Sequence, residues 1–140
     1  MGAPDTQDVN NIRKFENLGT RNFPIEYSIA NAVDFHNMIG AQRKEERLRY
    51  LKNYWVNQVK DHPKFSLNTS LNPGYSCAIA NFKVEGMEPG DIATKLFSDY
   101  SVHCVAINWE NIHGVRIAPH VYTSPADLDR FVGGLKKIMG

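Results

Sequence analysis

Arg116 is the side chain of this 140-residue sequence that its neighbours do not explain. It lies between Val115 and Ile117 in a run that alternates as a strand does, so if those two face a core, Arg116 emerges on the opposite face. A guanidinium among apolar strand neighbours has a natural use, because its planar fork grips a carboxylate through two parallel hydrogen bonds. The competing use is to cover apolar surface with its stem. Gly19-Thr20, in a polar stretch just ahead of a helical pattern, is a second candidate. A loop glycine, a hydroxyl and free backbone N–H groups can hold a phosphate, although a simple turn has the same composition.

Other residue types offer less. The five histidines, His36, His62, His103, His113 and His120, have no metal-ligand spacing. His103 and Cys104 are adjacent on an expected strand, so they face opposite ways and cannot share an ion. Cys77 and Cys104 form no CxxC and are too few for a disulfide framework; they read as reduced, half-buried thiols of a cytoplasmic protein. Arg43, Lys44, Arg47, Arg49 and Lys52 are diluted by Glu45 and Glu46 and read as a solvated helix face rather than a phosphate track. The myristoylation pattern at Gly2 and the glycosylation pattern at Asn68-Thr69-Ser70 are short enough to arise by chance.

Composition bounds the rest. Sixteen basic side chains nearly cancel fifteen acidic ones and 42% of residues are hydrophobic, which excludes disorder by charge and a strongly basic nucleic-acid binder. No run of eighteen apolar residues exists to span a membrane, and the first ten residues lack the basic-then-apolar pattern of a secretory signal.

These candidates need elements to position them. Residues 1–22 read as irregular apart from a short stretch at Ile12 to Phe15. From Pro24 the spacing of Ile25, Ile29, Ala32, Val33 and His36 predicts a helix that Gly40 ends. A second helix is expected from Ala41 to about Asp61 on a Leu48, Leu51, Trp55 and Val59 stripe, with Glu45 paired to Arg49 and His62-Pro63 as its stop. Strands are then expected at Phe65 to Thr69, Ser76 to Val84 and Val102 to Asn108, with a return through Val115 to Ile117. A short helix opens at Pro89. Ser124-Pro125-Ala126-Asp127 is a capping box ahead of a last helix carrying Leu128, Phe131, Val132, Leu135 and Ile138. The fold class is α/β of the α+β kind: two N-terminal helices, then a small mixed sheet with helices packed on one side.

With the elements in place, an ordered series of motifs stands out: Phe15-Glu16-Asn17-Leu18-Gly19-Thr20-Arg21, Phe35-His36-Asn37-Met38-Ile39-Gly40 and Arg43-Lys44-Glu45-Glu46-Arg47-Leu48-Arg49-Tyr50-Leu51. It continues with Ser76-Cys77-Ala78-Ile79-Ala80-Asn81-Phe82 and Gly114-Val115-Arg116-Ile117-Ala118-Pro119-His120-Val121-Tyr122-Thr123-Ser124. The series resembles the class V aminotransferase family, in its isopenicillin N epimerase-like and cysteine desulfurase-like branch, from about Ile12 to the C-terminus.

The resemblance implies a fold-type I homodimer that uses pyridoxal 5'-phosphate, of which this chain is the C-terminal portion. Residues 1–62 would end the large domain and its connecting helices, and residues 63–140 would form the small α/β domain. Gly19 and Thr20 would reach the phosphate of the partner subunit's cofactor, and Arg116 would hold the α-carboxylate of an amino-acid substrate. The expected partners are the missing large domain or the partner subunit, with no nucleic acid and no membrane.

The sequence departs from the family at one decisive point. None of its lysines lies in the context that holds the cofactor, which is expected upstream, so no catalytic residue is assigned and tight cofactor binding by this chain alone is not expected. Epimerase, aminotransferase and desulfurase chemistry stay open, the expected strand positions of Cys77 and Cys104 speaking against a mobile nucleophilic thiol. The alternative is a non-catalytic binding or assembly module that retains the small-domain fold, with the Leu48, Leu51 and Trp55 stripe exposed as an apolar patch.

Overall fold

The computed structural model describes Asn10, residues 12–15, Gly19 and residues 22–140. The chain divides into two compact units, Met1–Ile39 and Gly40–Gly140. In the first unit a single 3-10 turn at Ile12–Phe15 precedes helix α1 (Phe23–Ile39). Pro24 occupies the first turn of α1, where its missing N–H is not needed. The expected apolar stripe is present in α1, but none of the helix is buried. Ile25, Ile29 and Val33 line one side and Phe23, Tyr27 and Met38 the other, all of them exposed. A helix that is apolar on opposite sides suits the inside of a larger core.

The second unit builds one closed core. Helix α2 (Ala41–Val59) leads into strands β1 (Phe65–Leu67) and β2 (Ala80–Val84), helix α3 (Pro89–Tyr100), the β3 (Val105–Trp109) and β4 (Ile112–Ile117) hairpin, and helix α4 (Pro125–Met139). The strands form a sheet of order β1-β2-β4-β3. Every ladder in it is antiparallel, where a mixed sheet is expected from the sequence. The α3 crossover does make β2 and β3 run parallel. The hairpin return inserts β4 between them, so that parallel relation is never hydrogen-bonded.

Alternation decides which face is covered. Phe65 pairs with Val84 and Phe82 with Val115, and these four are buried together with Ala80 and Ile117. Against them pack Leu51, Trp55, Val56 and Val59 of α2, Ile92 and Leu96 of α3, and Leu128, Phe131, Val132, Leu135 and Met139 of α4. The stripe that would otherwise form an exposed patch is therefore largely inside this unit: Leu51 and Trp55 are fully buried and Leu48 is half-buried. Trp55 meets Phe65, Phe82 and Phe131 edge-on at ring-centroid distances of 6.3, 6.0 and 5.2 Å. The capping box opens α4 as its sequence predicts: the Ser124 hydroxyl accepts from the Asp127 N–H, and the Asp127 carboxylate accepts from the Ser124 N–H at 2.9 Å. The Ser124 hydroxyl also donates to the Asp127 carboxylate at 2.7 Å, and this bond, with the one from the Ser124 N–H, holds the Asp127 carboxyl below its usual range.

The strand expected over Ser76 to Val84 begins only at Ala80. Ser76 is tied elsewhere. Its carbonyl accepts from the Arg49 guanidinium, and its hydroxyl accepts from Lys52 Nζ at 2.7 Å and donates to the Ser70 carbonyl at 2.6 Å. Three bonds hold the start of the segment away from the β2 ladder. No helix among the described residues is long and apolar enough to cross a membrane.

Candidate functional site

Arg116 lies on β4, an inner strand of the sheet, with β2 on one side and β3 on the other. Val115 and Ile117 turn to the helices and are buried, while Arg116 is exposed on the uncovered face, as alternation requires. Asn81 pairs with it across β2 and Val105 across β3. Among the described residues no carboxylate and no carbonyl engages the Arg116 guanidinium. Ser66, Lys83, Ile112 and Trp109 stand exposed on the same face. The geometry is thus a free, permanently charged fork on a strand fixed by ladders on both edges.

Beside it lies an asparagine pair that the sequence does not advertise. Asn68 Nδ2 donates both to Asn81 Oδ1 at 2.5 Å and to the His113 carbonyl at 3.0 Å. These bonds fix which way the Asn81 amide is turned. Its own Nδ2 is shielded from solvent and has no partner among the described residues. Asn68 carries only a chance glycosylation pattern in the sequence, and nothing local links it to a residue thirteen positions on.

Gly19 stands at φ +73° with nothing within 4 Å of the position a Cβ would take. That left-handed conformation favours glycine. Thr20 lies outside the described residues. Gly19 and Arg116 belong to different units, and each is described in its own. The described residues do not make up a whole cofactor site. The single buried lysine among them, Lys52, is held by Ser76. Two clefts of the second unit, about 430 Å3 beside Lys83, Glu88 and His113 and about 160 Å3 beside His103, Ile117 and Phe131, do not include Arg116.

The thiols differ from their expected settings, since both lie outside the strands. Cys104 precedes β3, and burial pushes its thiol up to about 11, which keeps it protonated and a poor nucleophile. Among the described residues no group of three His, Cys, Asp or Glu side chains comes together to hold a metal ion.

Comparison with known proteins fixes the lineage. Residues 5–131 match the aminotransferase class-V family. This chain belongs to that family. A relative among characterised proteins is isopenicillin N epimerase of Amycolatopsis lactamdurans, 22% identical over 128 residues, which cover 91% of this chain and 32% of the epimerase. Similar solved structures include the apo cysteine desulfurase of Thermococcus onnurineus, with TM-score 0.74, 22% identity and coverage of 86% of this chain and 32% of that one. The Escherichia coli cysteine desulfurase CsdA follows at TM-score 0.70, 16% identity and coverage of 85% and 31%. Alanine–glyoxylate aminotransferase from Nostoc sp. follows at 0.63, 13%, 81% and 30%. At these identities the structural likeness establishes the fold. This class-V aminotransferase chain spans about a third of the length of the relatives it matches.

One residue of the expected solvated face is not solvated. Lys52 is 2% exposed, and burial, with the Arg49 charge adding to it, lowers the Lys52 amine below its ordinary 10.5. Between that lowered value and 10.5 the unfolded chain binds more protons than the folded one, so Lys52 makes stability rise with pH across this window. Lys52→Met is expected to match the parent, or to exceed it by up to about 1 kcal/mol, at neutral pH. Any advantage shrinks as the pH approaches 10.5, as urea unfolding of both chains at a series of pH values would show.

Proposed function

We propose that this chain is the C-terminal portion of a pyridoxal-phosphate-dependent enzyme of the class-V aminotransferase family, of the amino-acid epimerase or aminotransferase type. In this reading residues 1–62 close the large domain and its connecting helices, of which α2 packs into the core of the small domain that residues 63–140 form. The observation that carries it is Arg116: an exposed guanidinium on an inner strand, unengaged among the described residues, where a substrate's α-carboxylate would dock bidentately. Gly19 and Thr20 would contribute to a cofactor phosphate in the partner subunit of a homodimer. Pyridoxal phosphate, when bound, supplies the electron sink for chemistry at the amino acid's α-carbon. This chain's own residues bind and orient the substrate and hold no catalytic group. The family's other two-thirds would supply the rest of the site and the cover for α1, whose apolar sides stand exposed. The two free thiols suit a cytoplasmic setting.

Two measurements test this. The purified chain with added pyridoxal phosphate and an amino acid is expected to give no racemisation, transamination or sulfur release; turnover would overturn the assignment of binding groups alone. The chain is also expected to bind an amino acid weakly through its carboxylate. Arg116→Gln should weaken that binding at least about tenfold, the loss expected for hydrogen bonds to a charged group, while Lys83→Gln on the same face leaves it unchanged. Equal losses in the two variants would reduce Arg116 to one charge among several.

The alternative, a non-catalytic binding or assembly module, draws on the closed core of the Gly40–Gly140 unit. It predicts a well-folded monomer or dimer with no cofactor affinity, in which Arg116→Gln changes nothing.

A further inference from the structure

Asn81 and Arg116 are cross-strand partners of a particular kind. The Asn81 carbonyl accepts from the Asn68 N–H at 2.8 Å and its own N–H donates to Thr69 Oγ1 at 2.8 Å. Both backbone groups are therefore spent on the β1 side of the strand. The Asn81–Arg116 pair across to β4 is consequently non-hydrogen-bonded, the arrangement that brings two facing residues closest, with Cα atoms about 4.5 Å apart. The two side chains rise from adjacent points on the uncovered face.

What they offer is all of one kind. A guanidinium has donors and no acceptor. The Asn81 amide has its oxygen occupied by Asn68, so the arm it has left is the Nδ2 donor. Asn68 cannot turn to release it, because the same Nδ2 is anchored on the His113 carbonyl. A buried donor with no partner among the described residues is uncommon, and here it adjoins a cation that also lacks one among them. The group missing from both is an acceptor carrying negative charge.

We propose that Asn81 is a second carboxylate-binding residue, its Nδ2 donating to the carboxylate that Arg116 grips. This rests on the Arg116 reading above and extends it. Because Nδ2 is shielded in the free chain, the carboxylate displaces the atoms that cover it and supplies an acceptor in their place. The consequence is orientation: a fork alone lets a carboxylate pivot about its axis, whereas a third donor fixed by the Asn68 bridge sets the plane of the carboxyl group and the direction of the α-carbon.

Acetate, which carries the carboxylate and little else, is the probe. It is titrated into the isotope-labelled chain at constant ionic strength with chloride as control, following the Arg116 Nε–H and Asn81 side-chain NH2 resonances. The expected result is that both move with one midpoint, that one Asn81 amide proton moves downfield, and that nuclear Overhauser contacts join it to the acetate methyl group. Movement of Arg116 alone overturns the role of Asn81 and leaves the Arg116 site standing. Movement of neither overturns both, and an equal response to chloride overturns carboxylate recognition. Asn81→Asp keeps the acceptor for Asn68 but puts an acceptor where the donor was. It is expected to weaken acetate binding at least about tenfold, with unchanged circular dichroism showing that the fold survives; unchanged affinity would overturn the proposal.

Discussion

Trp55→Ala is expected to remove about 3–5 kcal/mol from the stability of the Gly40–Gly140 unit, the range for truncating a fully buried large aromatic. Domains of this size have about 5–15 kcal/mol in total, so the variant should sit near the edge of unfolding at 37 °C. Trp55 is fully buried and makes edge contacts with rings from β1, β2 and α4 at once. Truncation opens a void that three elements border and none can fill alone. The damage should reach the site, because Phe82 is the residue after Asn81, and Val115, its cross-strand partner, is the residue before Arg116.

Trp55→Phe separates packing from polarity. The indole Nε1 has no hydrogen-bond partner among the described residues, so losing its N–H breaks no bond and relieves a buried donor. The expected loss is roughly 1 kcal/mol, for volume alone. Urea unfolding followed by circular dichroism measures both variants. Fluorescence adds a control: Trp109 is 69% exposed and should report the red-shifted emission of a solvated indole in either variant, leaving the blue-shifted component to Trp55. A Trp55→Ala variant as stable as the parent would mean that α2 is not part of this core.

Features set by nearby residues were legible in the sequence. The capping box at Ser124–Asp127, the outward turn of Arg116 and the Glu45–Arg49 pair, closed at 2.6 Å, each depend on residues no more than four positions apart. What the sequence hides depends on distant partners. Lys52 reads as one more solvated cation because Ser76, which draws it inside, is 24 positions away. The strand expected from Ser76 starts late because α2 and Ser70 compete for Ser76, and Thr69 Oγ1 supplies an acceptor for the Asn81 N–H. The role of Asn81 needs the register of β1, β2 and β4 together, which no periodicity encodes. In α1 the pattern was visible, but the partner that would cover its two apolar sides is not among the described residues.

Gly114→Ala should be the most damaging small change near Arg116, at about 2–3 kcal/mol and occasionally more, because it overpacks a site whose neighbours cannot retreat. A Cβ there would strike the Phe82 carbonyl and Asn81 Oδ1, and would lie 3.1 Å from Asn68 Nδ2. A flexible side chain could move aside; Phe82's carbonyl is backbone of the neighbouring strand, so β2 and β4 must separate for the methyl group to enter. Separation strains the Asn68–Asn81–His113 bridge and the ladder that holds Arg116, so stability and carboxylate binding should fall together. Gly133→Ala is the matched control. Gly133 lies in α4 with open space where the Cβ would go, and alanine there should stabilise by about 0.5–1 kcal/mol through helix propensity, with binding intact. Were Gly114→Ala tolerated as readily as Gly133→Ala, the close approach of β2 to β4 would not be what holds Asn81 beside Arg116, and the carboxylate site would have to be built from Arg116 alone.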